Sequence, residues 1–234
     1  MRGEDKISHD SGRVTVVIPA KNEVRTIAGI VAKAKEHAAE VIVVDGHSTD
    51  GTADEARRAG ALVIQDHGQG KGDAVRTVIP LISKQITVFM DADGSHDPED
   101  IPRLVRPIAD NEADHVSGSR LLGGSSELHG GFDEFLRLTG SSFITACVGF
   151  RFKARISESQ NGFRAIKTEV LKKLDLRENS TTIEQEMVIK TLRKGFRLAE
   201  VPTHEYAREF GLSHIRISRV WIRYVYSLIK YLFF

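Results

Sequence analysis

The sequence predicts an α/β fold, a mostly parallel sheet with helices on both faces. Short apolar runs alternate with amphipathic helical segments through the first 120 residues, the pattern of crossover-connected parallel strands. Those runs repeatedly stop at a carboxylate or a glycine, which marks the strand edge where sheets of this kind bind ligands. The 234 residues suit one large α/β domain or two small ones. Hydrophobic residues make up 41%, so a substantial core can form. A net charge of +1 gives no general pull toward nucleic acid. The one cysteine, Cys147, excludes an intrachain disulfide and fits a reducing compartment. Residues 1–13 are polar and mixed in charge, and read as a flexible leader without the apolar stretch of a signal peptide. No apolar run reaches the ~18 residues of a membrane span.

The elements follow in order. Val14 to Ile18 is a strand of β-branched residues ending at Pro19-Ala20-Lys21-Asn22-Glu23. A helix is expected over Thr26 to His37, with Ile27, Ile30, Val31 and Ala34 on one face. Val41 to Asp45 is a second strand, followed by a turn through Gly51. Asp50 or Thr52 can cap a helix that runs to about Ala59 and stops at Gly60. Ala61 to Gln65 is a third strand. Gly68-Gln69-Gly70-Lys71-Gly72 precedes a helix over Asp73 to Ile82. Such a loop can cradle phosphate on backbone N–H groups, or be an ordinary turn. It lacks the spacing of a P-loop. Ile86 to Met90 is a fourth strand, Pro98 to Ile108 a helix, and Asp114 to Ser117 a fifth strand before Gly118-Ser119-Arg120. Leu121 to Gly131 reads as a loop and Phe132 to Phe150 as an apolar helix. Further on come a strand at Phe163 to Ile166, helices at Thr168 to Leu174 and Thr182 to Lys194, a strand at Phe196 to Val201, and a loop over Tyr206 to Ser213.

The chemistry is expected where the fourth strand stops, at Asp91-Ala92-Asp93-Gly94-Ser95. Alternate residues of an extended strand point to one side, so Asp91 and Asp93 can aim at one point. Two carboxylates there suit Mg2+ or Mn2+ that keeps other positions for phosphate oxygens. The plainer alternative is an acidic strand-end turn with a capping Asp. Asp45, Lys71 and Arg120 would lie along the same edge.

The motifs Val17-Ile18-Pro19-Ala20-Lys21-Asn22-Glu23, Val43-Val44-Asp45-Gly46-His47-Ser48-Thr49-Asp50-Gly51-Thr52 and Met90-Asp91-Ala92-Asp93-Gly94-Ser95-His96-Asp97-Pro98-Glu99 stand in that order. Gly118-Ser119-Arg120, Gly162-Phe163-Arg164-Ala165, and Glu200-Val201-Pro202 with Arg208-Glu209-Phe210-Gly211-Leu212-Ser213 follow. With all six, residues 14 to about 217 resemble family 2 glycosyltransferases of the GT-A fold, and within them the dolichyl-phosphate mannosyltransferase and polyprenyl-phosphate glycosyltransferase branch. The resemblance implies that Pro19, Lys21, Glu23, Asp45 and Lys71 face the nucleotide sugar. It implies that Asp91, Ala92 and Asp93 meet metal and diphosphate, with Ser95 as a third metal ligand. It further implies that Arg120, Arg137, Ser141 and Arg208 bind the lipid acceptor's phosphate, and that Asp91, Asp93 and Arg208 carry catalysis. This sequence departs from the branch pattern at Lys21, Ser95, Gln160-Asn161, Glu184 and His214, where Tyr, Gln, Thr-Ser, Gln and Lys are usual.

A metal at Asp91 and Asp93 would stabilise charge developing on the departing nucleotide diphosphate. An anionic phosphate acceptor needs positioning, for which arginine forks are suited, and no deprotonation. A hydroxyl acceptor would need a general base, with Asp97, Glu184 and Glu186 as candidates. A silent carbohydrate-binding partner is the reading from another class. A nucleotidyltransferase is disfavoured by Pro19-Ala20-Lys21-Asn22-Glu23 after the first strand, where a Gly-rich basic loop would be needed.

The tail from Ile215 to Phe234 reads as a basic amphipathic helix, set apart as residues 214–234. At 100° per residue Arg216, Arg219, Arg223 and Lys230 fall within roughly 60°, while Ile217, Trp221, Tyr224, Leu228 and Leu232 take another side. Such a helix can lie in the headgroup region of an anionic membrane, or dock on the domain, a homodimer or a membrane-protein partner. The expected location is cytoplasmic and peripheral, at the cytoplasmic face of a membrane.

Overall fold

A computed structural model describes residues 10–126, 132–207 and 217–233, with side chains other than those of 132–138 and 217–221. Seven strands form one sheet: β1 (Val14–Ala20), β2 (Glu40–Asp45), β3 (Leu62–Gln65), β4 (Ile86–Phe89), β5 (His115–Ser119), β6 (Arg164–Lys167) and β7 (Leu198–Pro202). Their order across the sheet is β3-β2-β1-β4-β6-β5-β7. β6 runs antiparallel to β4 and β5, and the remaining pairs are parallel. The register pairs Ala20 with Asp45 and Asp45 with Gln65, which brings these strand ends level at one edge.

The strands are apolar on both faces because both faces are covered. Val14, Val16, Ile18, Val41 and Val43 pack against α1 (Ile27–Ala34) and α4 (Ile101–Ala109) through Ile27, Ile30, Leu104 and Ile108. Val17, Ile42, Val44 and Phe89 face the other way, onto α3 (Lys71–Val78), α7 (Thr168–Lys173) and α8 (Ile183–Arg193). The crossover between β2 and β3 is α2 (Thr52–Arg58).

Two departures from the sequence reading, and the packing of the tail, bear on the site. The helix expected from Asp73 begins at Lys71, so the lysine is a helical residue and not a loop residue. Arg120–Gly123 forms a one-turn helix, α5, where a loop was expected, because the Ser119 hydroxyl accepts from Leu122 N at 3.3 Å. The tail helix α9 (Ile217–Phe233) docks on the domain, one of the placements its pattern left open: Leu228, Tyr231 and Leu232 are buried with Ile144 and Val148 of α6 (Phe132–Phe152) and Val188 and Ile189 of α8.

Leu104 is fully buried between α4 and the sheet. Leu104→Ala is expected to lower unfolding free energy by about 2–5 kcal/mol through the cavity it leaves. Urea denaturation should show this as a lower midpoint with an unchanged slope.

Candidate active site

The turn after β4 is held from several sides. Met90 N donates to Val17 O at 3.1 Å, carrying the strand pairing to its end. Gly94 then takes a φ of 82°, open to glycine at little cost. Ser95 donates to Asp93 Oδ1 from both its backbone N–H, at 3.0 Å, and its hydroxyl, at 2.6 Å. His96 Nδ1 accepts from Asp91 N at 3.1 Å, and its ring stacks on Phe163 with centroids 4.9 Å apart. The Thr26 hydroxyl donates to Ala92 O at 2.6 Å, tying the turn to the segment after β1. Burial holds the His96 pKa below its ordinary value, despite the pull of Asp91 and Asp93. A neutral ring with Nδ1 as acceptor agrees with that. His96 therefore supports the acidic turn, and Ser95 acts on Asp93.

Lys71 is the centre of the site. Its ammonium contacts Asp91 Oδ1 and lies 2.7 Å from Glu184 Oε1. Burial alone would lower its pKa, but the Asp91 and Glu184 carboxylates outweigh burial and hold it well above the usual lysine value. A small cavity here is lined by Pro19, Lys71, Asp91, Gly162, Arg164 and Glu184. Glu184 Oε2 is buried and has no hydrogen-bond partner among the described residues. Beneath it Arg164 is fully buried, donating from NH1 to Glu184 O at 3.0 Å and from Nε to Asn161 O at 3.1 Å. Burial pulls the Arg164 pKa down to about 10, against the opposing pull of Glu184, Glu158 and Asp91.

The donor set suits a divalent cation. Asp91 and Asp93 offer hard oxygen ligands, and the Lys71 ammonium already marks the place at Asp91 where positive charge is stabilised. Among the described residues no three His, Cys, Asp or Glu gather round one point. A metal here would thus take its remaining ligands from phosphate oxygens and water.

The other expected residues are distributed as follows. Pro19 lines the Lys71 cavity. Asp45 is buried at the end of β2, and its two oxygens accept from Ser48 N at 3.3 and 3.2 Å. Lys21 is exposed and Glu23 half-buried on the loop after β1, where Glu23 N donates to Thr52 Oγ1 at 2.8 Å. The glycine-rich loop is not a phosphate cradle on its helix-start amides. Gly72 N and Asp73 N both donate to Asn179 O, at 2.9 and 3.3 Å, and Gln69 N donates to Asp73 Oδ2 at 3.2 Å. What the loop delivers to the site is the Lys71 side chain.

Arg120 is clamped between two carboxylates. Its Nε lies 2.6 Å from Glu158 Oε1 and its NH1 donates to Glu205 Oε1 at 2.6 Å. Ser141 is half-buried on α6. The Arg137 side chain and the whole of Arg208 lie outside the described residues. Two candidate bases are engaged elsewhere. The Glu186 carboxylate is fully buried, accepts from Arg177 N and Glu178 N, and pairs with Lys190 at 2.7 Å. Asp97 caps the turn after the acidic motif by accepting from Glu99 N at 3.1 Å.

Sequence reasoning gave no role to Arg164, Glu158 or Glu205. Arg164 carried a signal, since it stands in the Gly162-Phe163-Arg164 motif; the two glutamates carried none.

This site geometry can now be set beside known proteins. A family model described as Glycosyl transferase family 2 matches residues 15–174. The chain belongs to glycosyl transferase family 2. It is 30% identical over 192 residues to a dolichyl-phosphate hexose transferase of Haloferax volcanii, covering 81% of each chain. It is 29% identical over 216 residues to an undecaprenyl-phosphate mannosyltransferase of Micrococcus luteus, covering 86% of each. Glycosyltransferase AglJ of Haloferax volcanii is 30% identical, and the match spans 85% of this chain but only 64% of that protein. In fold the chain is similar to glucosyl-3-phosphoglycerate synthase of Mycobacterium tuberculosis, solved with Mn2+, UDP and phosphoglyceric acid. The TM-score is 0.79 at 22% identity, over 98% of this chain and 82% of that one. The GT-A architecture expected from the motifs is thus the one observed.

A Cβ added at Gly162 would come within 2.8 Å of both Asp91 Oδ2 and Lys71 Nζ. Both are side-chain ends that can move, so the fold should tolerate the change while the site does not. Gly162→Val is expected to lower glycosyl transfer roughly tenfold or more with a melting temperature near wild type. Parallel activity assays and thermal melts would check this.

Proposed function

We propose that this protein transfers a sugar from a nucleotide diphosphate sugar to a polyprenyl phosphate at a membrane surface, with Mg2+ or Mn2+ held by Asp91 and Asp93. In this reading Pro19, Lys21, Glu23 and Asp45 line the nucleotide end of the donor. When bound, the metal would supply Lewis-acid stabilisation of charge on the leaving diphosphate. Lys71 places a second positive charge next to the same oxygens. The orphaned Glu184 Oε2 is suited to accept from a hydroxyl of the donor sugar.

The observation that carries the choice of acceptor is the state of the carboxylates. Glu184 is tied to Lys71, Glu186 to Lys190 and two backbone amides, and Asp97 to its own turn. A phosphate acceptor is already anionic and needs no base. The relatives named for dolichyl and undecaprenyl phosphate support the same choice. Arg208, with Arg137 and Ser141 of α6, is our candidate for gripping that phosphate. Arg120 already spends its Nε on Glu158 and its NH1 on Glu205, and so has less of its fork to offer.

The decisive experiment screens GDP-mannose, UDP-glucose and UDP-GlcNAc with Mn2+, with and without polyprenyl phosphate. Transfer should require the lipid phosphate and stop in EDTA. Asp93→Ala should abolish it with the fold intact. Arg208→Ala should cost transfer roughly ten- to a hundredfold, as expected for one charge-assisted contact of about 1.5–3 kcal/mol, while slow donor hydrolysis to water continues. Activity that persists in EDTA would sink the metal reading. A normal Arg208→Ala enzyme would favour a hydroxyl acceptor.

The membrane contact proposed here differs from the one expected from sequence. Tyr224, Leu228 and Leu232, assigned above to the lipid side, pack inward against α6 and α8. Ile217 and Trp221 have side chains outside the described residues. The outward face of α9 is a second apolar stripe of Ile222, Tyr226, Ile229 and Phe233, and α6 exposes Phe143 and Phe150, the latter 90% accessible. Arg223 is exposed along the stripe, while Lys230 is paired with Glu178 at 3.0 Å. No described helix is long and apolar enough to cross a membrane. An apolar stripe edged by cations suits the surface of an anionic bilayer, and we place the protein peripherally at the cytoplasmic face. Replacing Phe150 and Tyr226 by Ser is expected to weaken binding to phosphatidylglycerol-containing vesicles in a flotation assay while melting temperature holds. Unchanged vesicle binding would assign the stripe to a protein partner instead.

A further inference from the structure

We infer that Lys71 is a placeholder cation: it holds Asp91 until the metal binds, must then leave it, and so makes the metal bind with the nucleotide rather than before it. The inference rests on the reading of Asp91 and Asp93 as metal ligands. It starts from the geometry of the ammonium, half-buried and held jointly by Asp91 and Glu184 beside a small open cavity. A divalent ion arriving alone at Asp91 would meet this like charge at contact distance.

The backbone offers Lys71 no retreat. Gly72 N and Asp73 N are fixed on Asn179 O, and a Cβ on Gly72 would lie 2.3 Å from Glu178 O. The start of α3 is therefore locked against the segment before α8. Only the lysine stem can move, and four methylenes with freely rotating bonds allow it to. Where it moves is set by charge. If it left Asp91 with no anion to receive it, it would keep Glu184 as its one carboxylate partner among the described residues. A nucleotide diphosphate brings new oxygens next to the metal, to which the ammonium can turn while keeping Glu184. Metal and diphosphate then each make room for the other, and the two bind as a linked pair.

The test uses the whole protein and Mn2+ itself, with free Mn2+ followed by electron paramagnetic resonance. Lys71→Met is expected to bind Mn2+ alone at least tenfold more tightly than wild type, because the competing charge is gone. Lys71→Arg, which keeps the charge, should stay weak like wild type. Adding UDP or GDP should tighten Mn2+ binding strongly in wild type and much less in Lys71→Met. Lys71→Gln replaces Lys71→Met if the latter melts early. If the neutral variants bind Mn2+ alone no better than wild type, the placeholder role is wrong. Asp93→Ala separates this failure from failure of the metal reading. Loss of Mn2+ binding in that variant keeps the metal at the acidic turn, whereas retained binding removes the metal from it and overturns both.

Discussion

One half-buried ammonium lets two carboxylates stand side by side at the edge of this sheet. Asp91 comes from the end of β4 and Glu184 from the first turn of α8, and Lys71 sits against both. Without a cation between them the two carboxylates would repel each other at close range. Much of the surrounding chain serves to hold that ammonium. The Asp73 carboxylate accepts from His67 N and Gln69 N and winds the preceding loop tightly. Gly70 adopts a φ of 115°, which residues with a Cβ rarely take, and thereby turns the chain into α3 at the right point. Gly162 leaves the space that the lysine tip fills. The glycines of this loop are thus about access and close packing, where the sequence alone left phosphate binding on backbone amides and an ordinary turn both open.

The parts of the fold that were legible in the sequence are those fixed by local pattern. Runs such as Val14 to Ile18 and Ile86 to Phe89 are apolar at every position because both sheet faces are covered, and that signal is strong over a few residues. The direction of β6 was not legible. Arg164–Lys167 has the same composition whether it runs parallel or antiparallel, and the choice rests on where the chain arrives after α6. The acidic turn could be placed by its motif. Its supports could not, since Thr26 reaches Ala92 across 66 positions and Glu184 reaches Lys71 from another helix. Arg120 is the sharpest case. The family resemblance implies that Arg120 binds the acceptor's phosphate, while its carboxylate partners Glu158 and Glu205 lie 38 and 85 positions away and carry no mark in the sequence.

The tail shows a different limit. A helical projection of α9 separates cations from apolar residues correctly, yet it contains two apolar stripes and not one. Tyr224, Leu228, Tyr231 and Leu232 are drawn inward because α6 and α8 present Ile144, Val148, Val188 and Ile189 to them. Ile222, Tyr226, Ile229 and Phe233 are left outside. Periodicity reports that a face is apolar; the partner that covers it is set by tertiary packing. Lys230 is a further consequence, since docking the helix brings it to Glu178 and takes it out of the cationic band.

That docking gives α8 a double task. Its first turn carries Glu184 to the Lys71 ammonium, while Val188 and Ile189 on the same helix support α9. Tyr224 on α9 donates to Thr181 Oγ1 at 3.0 Å, next to the start of α8, and Gln185 Nε2 donates to Tyr224 O at 3.3 Å. Glu178, which pairs with Lys230, is followed by Asn179, whose carbonyl fixes the first amides of α3. The outward stripe of α9 and the lysine of the site are therefore joined through one packed segment, residues 178–189, and not through a flexible linker. On the membrane reading, a protein resting on that stripe would hold its donor site at one fixed height and angle to the lipid surface. A polyprenyl phosphate could then meet the donor sugar with little orientational entropy left to lose.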